Sequence, residues 1–200
     1  MALASGGGKI GNRGGVSGDI ESRHPVDRLI AEVAATGRPV TTNDIRVIRN
    51  YVSGLGFDTD KNSLAGGRLD GLVWEGRALK RTDLMSAGEI HYLRHALKQQ
   101  EWPSGVTLID YLSSVRDIIL DPESGLAVSR WCAREWHLTV ARASTSLKGP
   151  GGANWVVIEY RVGEGRWTTA FQPENGLEHF LGDRRRSEVR WLLTPKSYGE

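Results

Sequence analysis

The residues of this 200-residue chain best suited to proton transfer are its histidines, and two of the five, His91 and His95, stand four apart in a helical pattern. At 100° per residue, His91, Arg94, His95 and Lys98 fall on one flank beside an Ile90, Leu93, Leu97 stripe. That flank forms a basic, titratable edge. Two histidines at this spacing can chelate, but no HExxH pattern occurs and Arg94 between them repels a cation, so no metal site is expected. A second set lies in strand patterns: His137, Thr139, Glu159, Thr168 and Gln172 can share one polar face able to hold a polar ligand. A third is the connection from Ala143 to Asn154, where Ser144, Thr145, Ser146 and Lys148 precede a glycine-rich turn. Its amides and one ammonium could meet a phosphate, although it lacks P-loop spacing.

The elements that must position these residues are legible from Ser86 onward. Ser86 and Glu89 have capping-box spacing, and the helix they start is expected to run to about Gln100, before Trp102-Pro103. Thr107 caps a second helix with Leu108, Tyr111, Leu112, Val115, Ile118 and Ile119 on one broad face. After the breaker Asp121–Gly125, the segments 126–131, 136–142, 155–162 and 166–172 read as four strands of an antiparallel meander. The expected fold is therefore α+β, two helices packed on a four-stranded antiparallel sheet. A small, mostly helical N-terminal region precedes it. There, residues 24–35 form one amphipathic helix, and a second carries Ile45, Ile48 and Val52 inward with Arg46 and Arg49 facing water. Asp70-Gly71 suggests the turn of a small hairpin. The division is 1–22 as a flexible linker, 23–85 as the N-terminal region and 86–200 as the α+β domain.

Composition narrows the class. Hydrophobic content of 39%, charged content of 25% and seven tryptophans describe a chain that folds, and the single Cys132 precludes an intrachain disulfide framework. No apolar run approaches the roughly 18 residues of a membrane span, so no stable membrane anchor is expected. The net charge is only +2, and no long segment is basic overall, so nucleic-acid binding would have to rest on local clustering.

Taken in order, the histidine-bearing helix, the DPxSG turn after the second helix and the final strand WTTAFQ resemble the C-terminal nuclease domains of bacterial polymorphic toxins, with the barnase, EndoU, colicin and RelE-like fold. The resemblance spans residues 86–172. It implies a metal-independent endoribonuclease without cofactor, with RNA, commonly tRNA, as substrate and a cognate immunity protein as partner. It further implies a secreted or delivered toxin acting in the target-cell cytoplasm. Such cleavage needs a base for the 2′-hydroxyl, an acid for the 5′-oxygen and a cation on the phosphate. The expected catalytic residues are His91 or His95 for proton transfer, Arg142 for the phosphate and Thr168 or Thr169 for orientation. Lys98, His137, Lys148, Glu159 and Gln172 are expected to bind substrate. Strand alternation favours Thr168 over Thr169 and puts Arg142 on the face of Leu138 and Val140. The other reading is a non-catalytic protein- or nucleic-acid-binding α+β domain using the same sheet face.

Overall fold

Thr41, Ser86 and Thr107 each accept a hydrogen bond from the amide three residues on, and Asp44, Glu89 and Asp110 return a carboxylate to the cap amide. These reciprocal caps satisfy amides that the first helical turn leaves free. They start α2 (Thr42–Gly54), α3 (Ala87–His91) and α4 (Leu108–Leu120) in a computed structural model that describes residues 24–63, 69–144 and 146–196. The expected linker 1–22 and Thr145 lie outside the described residues. Ahead of α2, α1 (Pro25–Thr36) ends at Gly37, whose φ of 74° is readily adopted only by glycine. Arg190 donates to the Val33 and Ala34 carbonyls at that end.

Short strands β1 (Asn62–Ser63) and β4 (Leu84–Met85) pair, as do β2 (Val73–Trp74) and β3 (Arg77–Ala78). The hairpin expected near Asp70-Gly71 turns instead at Glu75-Gly76, where φ values of 49° and 76° suit a tight two-residue loop.

The main sheet contains β5 (Gly125–Trp131), β6 (Glu135–Ala143), β7 (Trp155–Arg161), β8 (Trp167–Phe171) and β9 (Arg186–Leu193) in the order β8-β7-β6-β5-β9, all antiparallel. The α+β class and the four-strand meander are present, but the sheet has five strands. Beyond Gln172 the chain turns, forms α5 (Gly176–Leu181) and returns as β9 beside β5. The physical reason is on the second face of the sheet, where Ala127, Ala141 and Val157 need cover and receive Leu177 and Leu181 from α5. The first face carries Leu126, Val128, Leu138, Val140, Val156 and Ile158. It packs with Ile30 of α1, Ile48 and Val52 of α2, and Tyr111, Val115 and Ile119 of α4 in one core.

Arg49 departs from its expected exposure. It is 6% exposed and donates to the carbonyls of Ile119, Asp121 and Ser124, closing the end of α4. The helix after Ser86 also differs from expectation. From Tyr92 to Lys98 it is π-helical, with Gln99 N bonded to Arg94 O at 2.9 Å, one residue further back than in an α-helix. The wider turn rotates Tyr92, Leu93, His95 and Ala96 inward and leaves Leu97 exposed.

Candidate functional site

On the second face of the sheet, antiparallel register sets Ser129, His137 and Arg161 in one row and Ala127, Thr139, Glu159 and Thr169 in the next. His137 Nδ1 lies 2.8 Å from Glu159 Oε1, and Arg186 Nη1 from β9 reaches the same oxygen at 2.7 Å and Ser129 Oγ at 3.1 Å. Burial pushes the Glu159 carboxyl upward, but hydrogen bonds from His137 and Arg186 outweigh it and hold the group below its usual range. An ionised carboxylate only accepts, so Nδ1 carries the proton and Nε2 is the nitrogen free to exchange one. Nε2 has no hydrogen-bond partner among the described residues, and neither has the buried Thr139 hydroxyl. Glu135 Oε2 lies 3.8 Å from Nε2 and is engaged by Arg161 at 3.2 Å. Trp131 stacks on the His137 ring at 5.8 Å, and the Arg186 guanidinium sits 5.0 Å from Trp131 and 4.1 Å from Phe180. The arrangement is an oriented imidazole, a carboxylate that fixes its tautomer and a guanidinium held between two rings.

A bulge in β8 decides the threonines. Glu159 pairs with Thr169 but Tyr160 pairs with Trp167, so Thr168 is the extra residue. Trp167 thereby enters the core at 2% exposure, Thr169 joins the Glu159 row and Thr168 is thrown outward. Simple alternation favours Thr168; the bulge selects Thr169.

The α3 histidines are not part of this set. His91 stacks on Phe57 at 4.6 Å and on His95 at 5.7 Å. Burial, then the charges of His95 and Arg94, push its pKa down to about 3 against a hydrogen bond with the Thr168 backbone. Its ring is neutral near pH 7. His95 Nδ1 lies 3.1 Å from Glu101 Oε1, while Glu101 Oε2 accepts the Gln172 amide at 2.6 Å. Gln172 Nε2 donates to the Glu101 and Leu147 carbonyls at 2.6 and 3.0 Å, tying the loop to the helix end rather than facing the Glu159 row. The expected basic flank is thus broken up: His95 is buried, His91 is half-buried against Phe57, Arg94 is half-buried, and Lys98 is exposed, donating at 3.4 Å to Asp70 O.

Arg142 and Lys148 are also elsewhere. Arg142, on the Leu138 face as its parity required, pairs with Asp121 and Glu123 after α4. Five residues of strand, roughly 17 Å, separate it from His137. The glycine-rich loop does not present its amides to solvent. Gly149 N donates to Glu101 O at 2.8 Å and Gly151 N to Gln100 O at 2.9 Å. A Cβ at Gly149 would collide with the Trp102 carbonyl and one at Gly151 with the Gln99 carbonyl, so close backbone approach explains the glycines. Lys148 reaches Asn154 Oδ1 at 3.4 Å.

Of the residues singled out by sequence, the structure therefore gathers His137, Thr139, Glu159 and Thr169 on one face and disperses the others. It adds Arg186 and Arg161, which sequence reasoning missed. The signal for Arg186 is the Arg184–Arg186 run ahead of the alternating Val189, Trp191, Leu193 pattern, which marks a strand. Compared with known proteins, the chain matches no family model, no curated protein and no solved structure.

Proposed function

We propose that this chain is a ribonuclease domain of the toxin class it resembles, with proton transfer centred on His137 rather than on His91 or His95. The observation that carries the reading is the His137 Nδ1 to Glu159 bond, which leaves Nε2 free beside a clamped guanidinium. In a metal-independent mechanism, Nε2 takes the 2′-hydroxyl proton as that oxygen attacks phosphorus, and the protonated ring returns a proton to the departing 5′-oxygen. Glu159 holds the tautomer and stabilises the imidazolium, as a carboxylate does behind a catalytic histidine. Arg186 and Arg161 supply cationic charge for the phosphorane, and the Thr169 hydroxyl beside Glu159 orients the substrate. Nε2 is buried, so this reading requires the partly exposed Glu135 and Arg161 side chains to turn aside for substrate. The tRNA class, the immunity partner and action in a target-cell cytoplasm belong to this proposal through the resemblance.

The test is incubation of purified protein with total RNA and with tRNA in EDTA between pH 6 and 8. Cleavage is expected, with His137→Ala lowering it about 10²- to 10⁴-fold and Arg142→Ala having little effect. Absence of cleavage by the wild type, or full cleavage by folded His137→Ala, overturns the reading.

One observation favours a second reading, a non-catalytic binding domain: His137, Glu159 and Arg186 are 4%, 6% and 8% exposed. In that case the cluster is a buried ionic network that fixes β9 against β5. Growth inhibition on expression that persists unchanged in His137→Ala would support it.

A further inference from the structure

We infer that the end of the sheet where the β5–β6 turn meets the α5–β9 turn is a docking surface for the backbone of single-stranded RNA. The inference rests on the ribonuclease reading and deepens it. The two turns are far apart in sequence and are joined by Cys132 N donating to Arg185 O at 2.7 Å. Their meeting brings Arg130, Arg134, Arg184 and Arg185 to one rim, with Trp131 on the second face of the sheet there and Trp136 on the first. The Arg185 guanidinium lies 4.4 Å from the Trp131 ring and that of Arg130 4.8 Å from Trp136.

Local clustering of this kind is what the near-neutral sequence requires of any nucleic-acid surface. Acids are present: Asp183 pairs with Arg185 at 2.6 Å, Glu188 with Arg130 at 3.5 Å, and Glu135 lies in the same turn as Arg134. Arg134 and Arg184 are different. Both are exposed, and neither has an ion pair among the described residues. A guanidinium is weakly hydrated and matches phosphate oxygens in pairs, so two uncommitted arginines on one rim suit a phosphodiester chain. Arg185 lies over Trp131 and Arg130 over Trp136, so each presents a ring-backed guanidinium plane, and unpaired bases stack on such planes. The rim also leads to the candidate centre. Trp131 stacks on His137, and Arg186 follows Arg185 directly into the Glu159 cluster. A strand held by Arg134 and Arg184 would pass beside Nε2.

The experiment measures binding of a labelled 2′-O-methyl oligouridine by fluorescence anisotropy across a salt series. Without a 2′-hydroxyl this strand cannot be cut, so binding is read independently of cleavage. The wild type is compared with Arg134→Gln/Arg184→Gln and with Arg28→Gln/Arg46→Gln, which removes the same charge from exposed positions on α1 and α2. The first pair is expected to weaken binding on the order of tenfold at 0.15 M salt and to reduce the log–log salt slope by about 1.4, or about 0.7 for each phosphate no longer neutralised. The second pair should bind as the wild type does. Equal effects from both pairs, no effect from either, or failure of the wild type to bind overturns the surface. Binding in the expected pattern without cleavage of ordinary RNA keeps the surface and counts against the ribonuclease reading alone.

Discussion

His137 and Glu159 are diagonal neighbours across β6 and β7: His137 is in register with Arg161 and Glu159 with Thr139, yet the two side chains close to 2.8 Å. A third charge, Arg186, completes the cluster from a strand that enters the sheet last in sequence.

Removing one member of this cluster leaves the others buried and unbalanced. Glu159→Gln is expected to cost roughly 3–5 kcal/mol, because the Arg186 guanidinium then lacks its carboxylate. Glu159→Leu combined with Arg186→Met should cost less than Glu159→Gln alone. Urea unfolding of the three proteins at pH 7 checks this.

The same carboxylate predicts an acid limb. Its folded pKa is held below the ordinary value near 4.5, so its contribution is complete above about pH 4.5 and is lost as pH falls through the folded value. Glu159→Gln should flatten the stability profile below pH 4.5 while lowering it throughout.

His91 acts in a higher window. With a folded pKa of about 3 against 6.5 unfolded, the unfolded chain binds more protons between those values, and stability rises with pH across them. The full span is on the order of 5 kcal/mol. His91→Phe, which can keep the stack on Phe57, should remove the slope between pH 6.5 and 4.5. Urea midpoints at half-unit pH intervals would show it; an unchanged slope contradicts the assignment.

Arg49→Met should destabilise by about 3 kcal/mol, since three carbonyls at the end of α4 lose a charged donor. Thermal unfolding against the exposed control Arg46→Met measures the difference.

Two glycines should respond with opposite sign. Gly149→Ala forces a Cβ into the Trp102 and Gln100 carbonyls and should destabilise by about 2 kcal/mol. Gly54→Ala, with open space around its Cβ and a helical position, should stabilise by about 0.5 kcal/mol. Paired urea titrations decide both.

How much of the molecule is legible in its sequence follows from the range of each interaction. Ser86 with Glu89, and Thr107 as the cap ahead of Asp110, announce helix starts because a cap and its amide are three residues apart. The strands β5 to β8 stand within a residue or two of where alternation and turn residues put them, since each hairpin pairs near neighbours. The π-helical turn at Tyr92 escapes such a reading because a stripe projected at 100° per residue assumes α-helical geometry throughout. Arg49 escapes it because its three acceptors lie some 70 residues away.

By itself, the sequence determined the local elements, the α+β class and a polar strand face containing His137, Thr139 and Glu159. Only the tertiary structure decided which residues stand with them. The β8 bulge chose Thr169, β9 delivered Arg186, and packing withdrew His91 onto Phe57 and His95 into the interior. Register, bulges and desolvation are set by contacts between segments far apart in the chain, and no spacing within one segment encodes them.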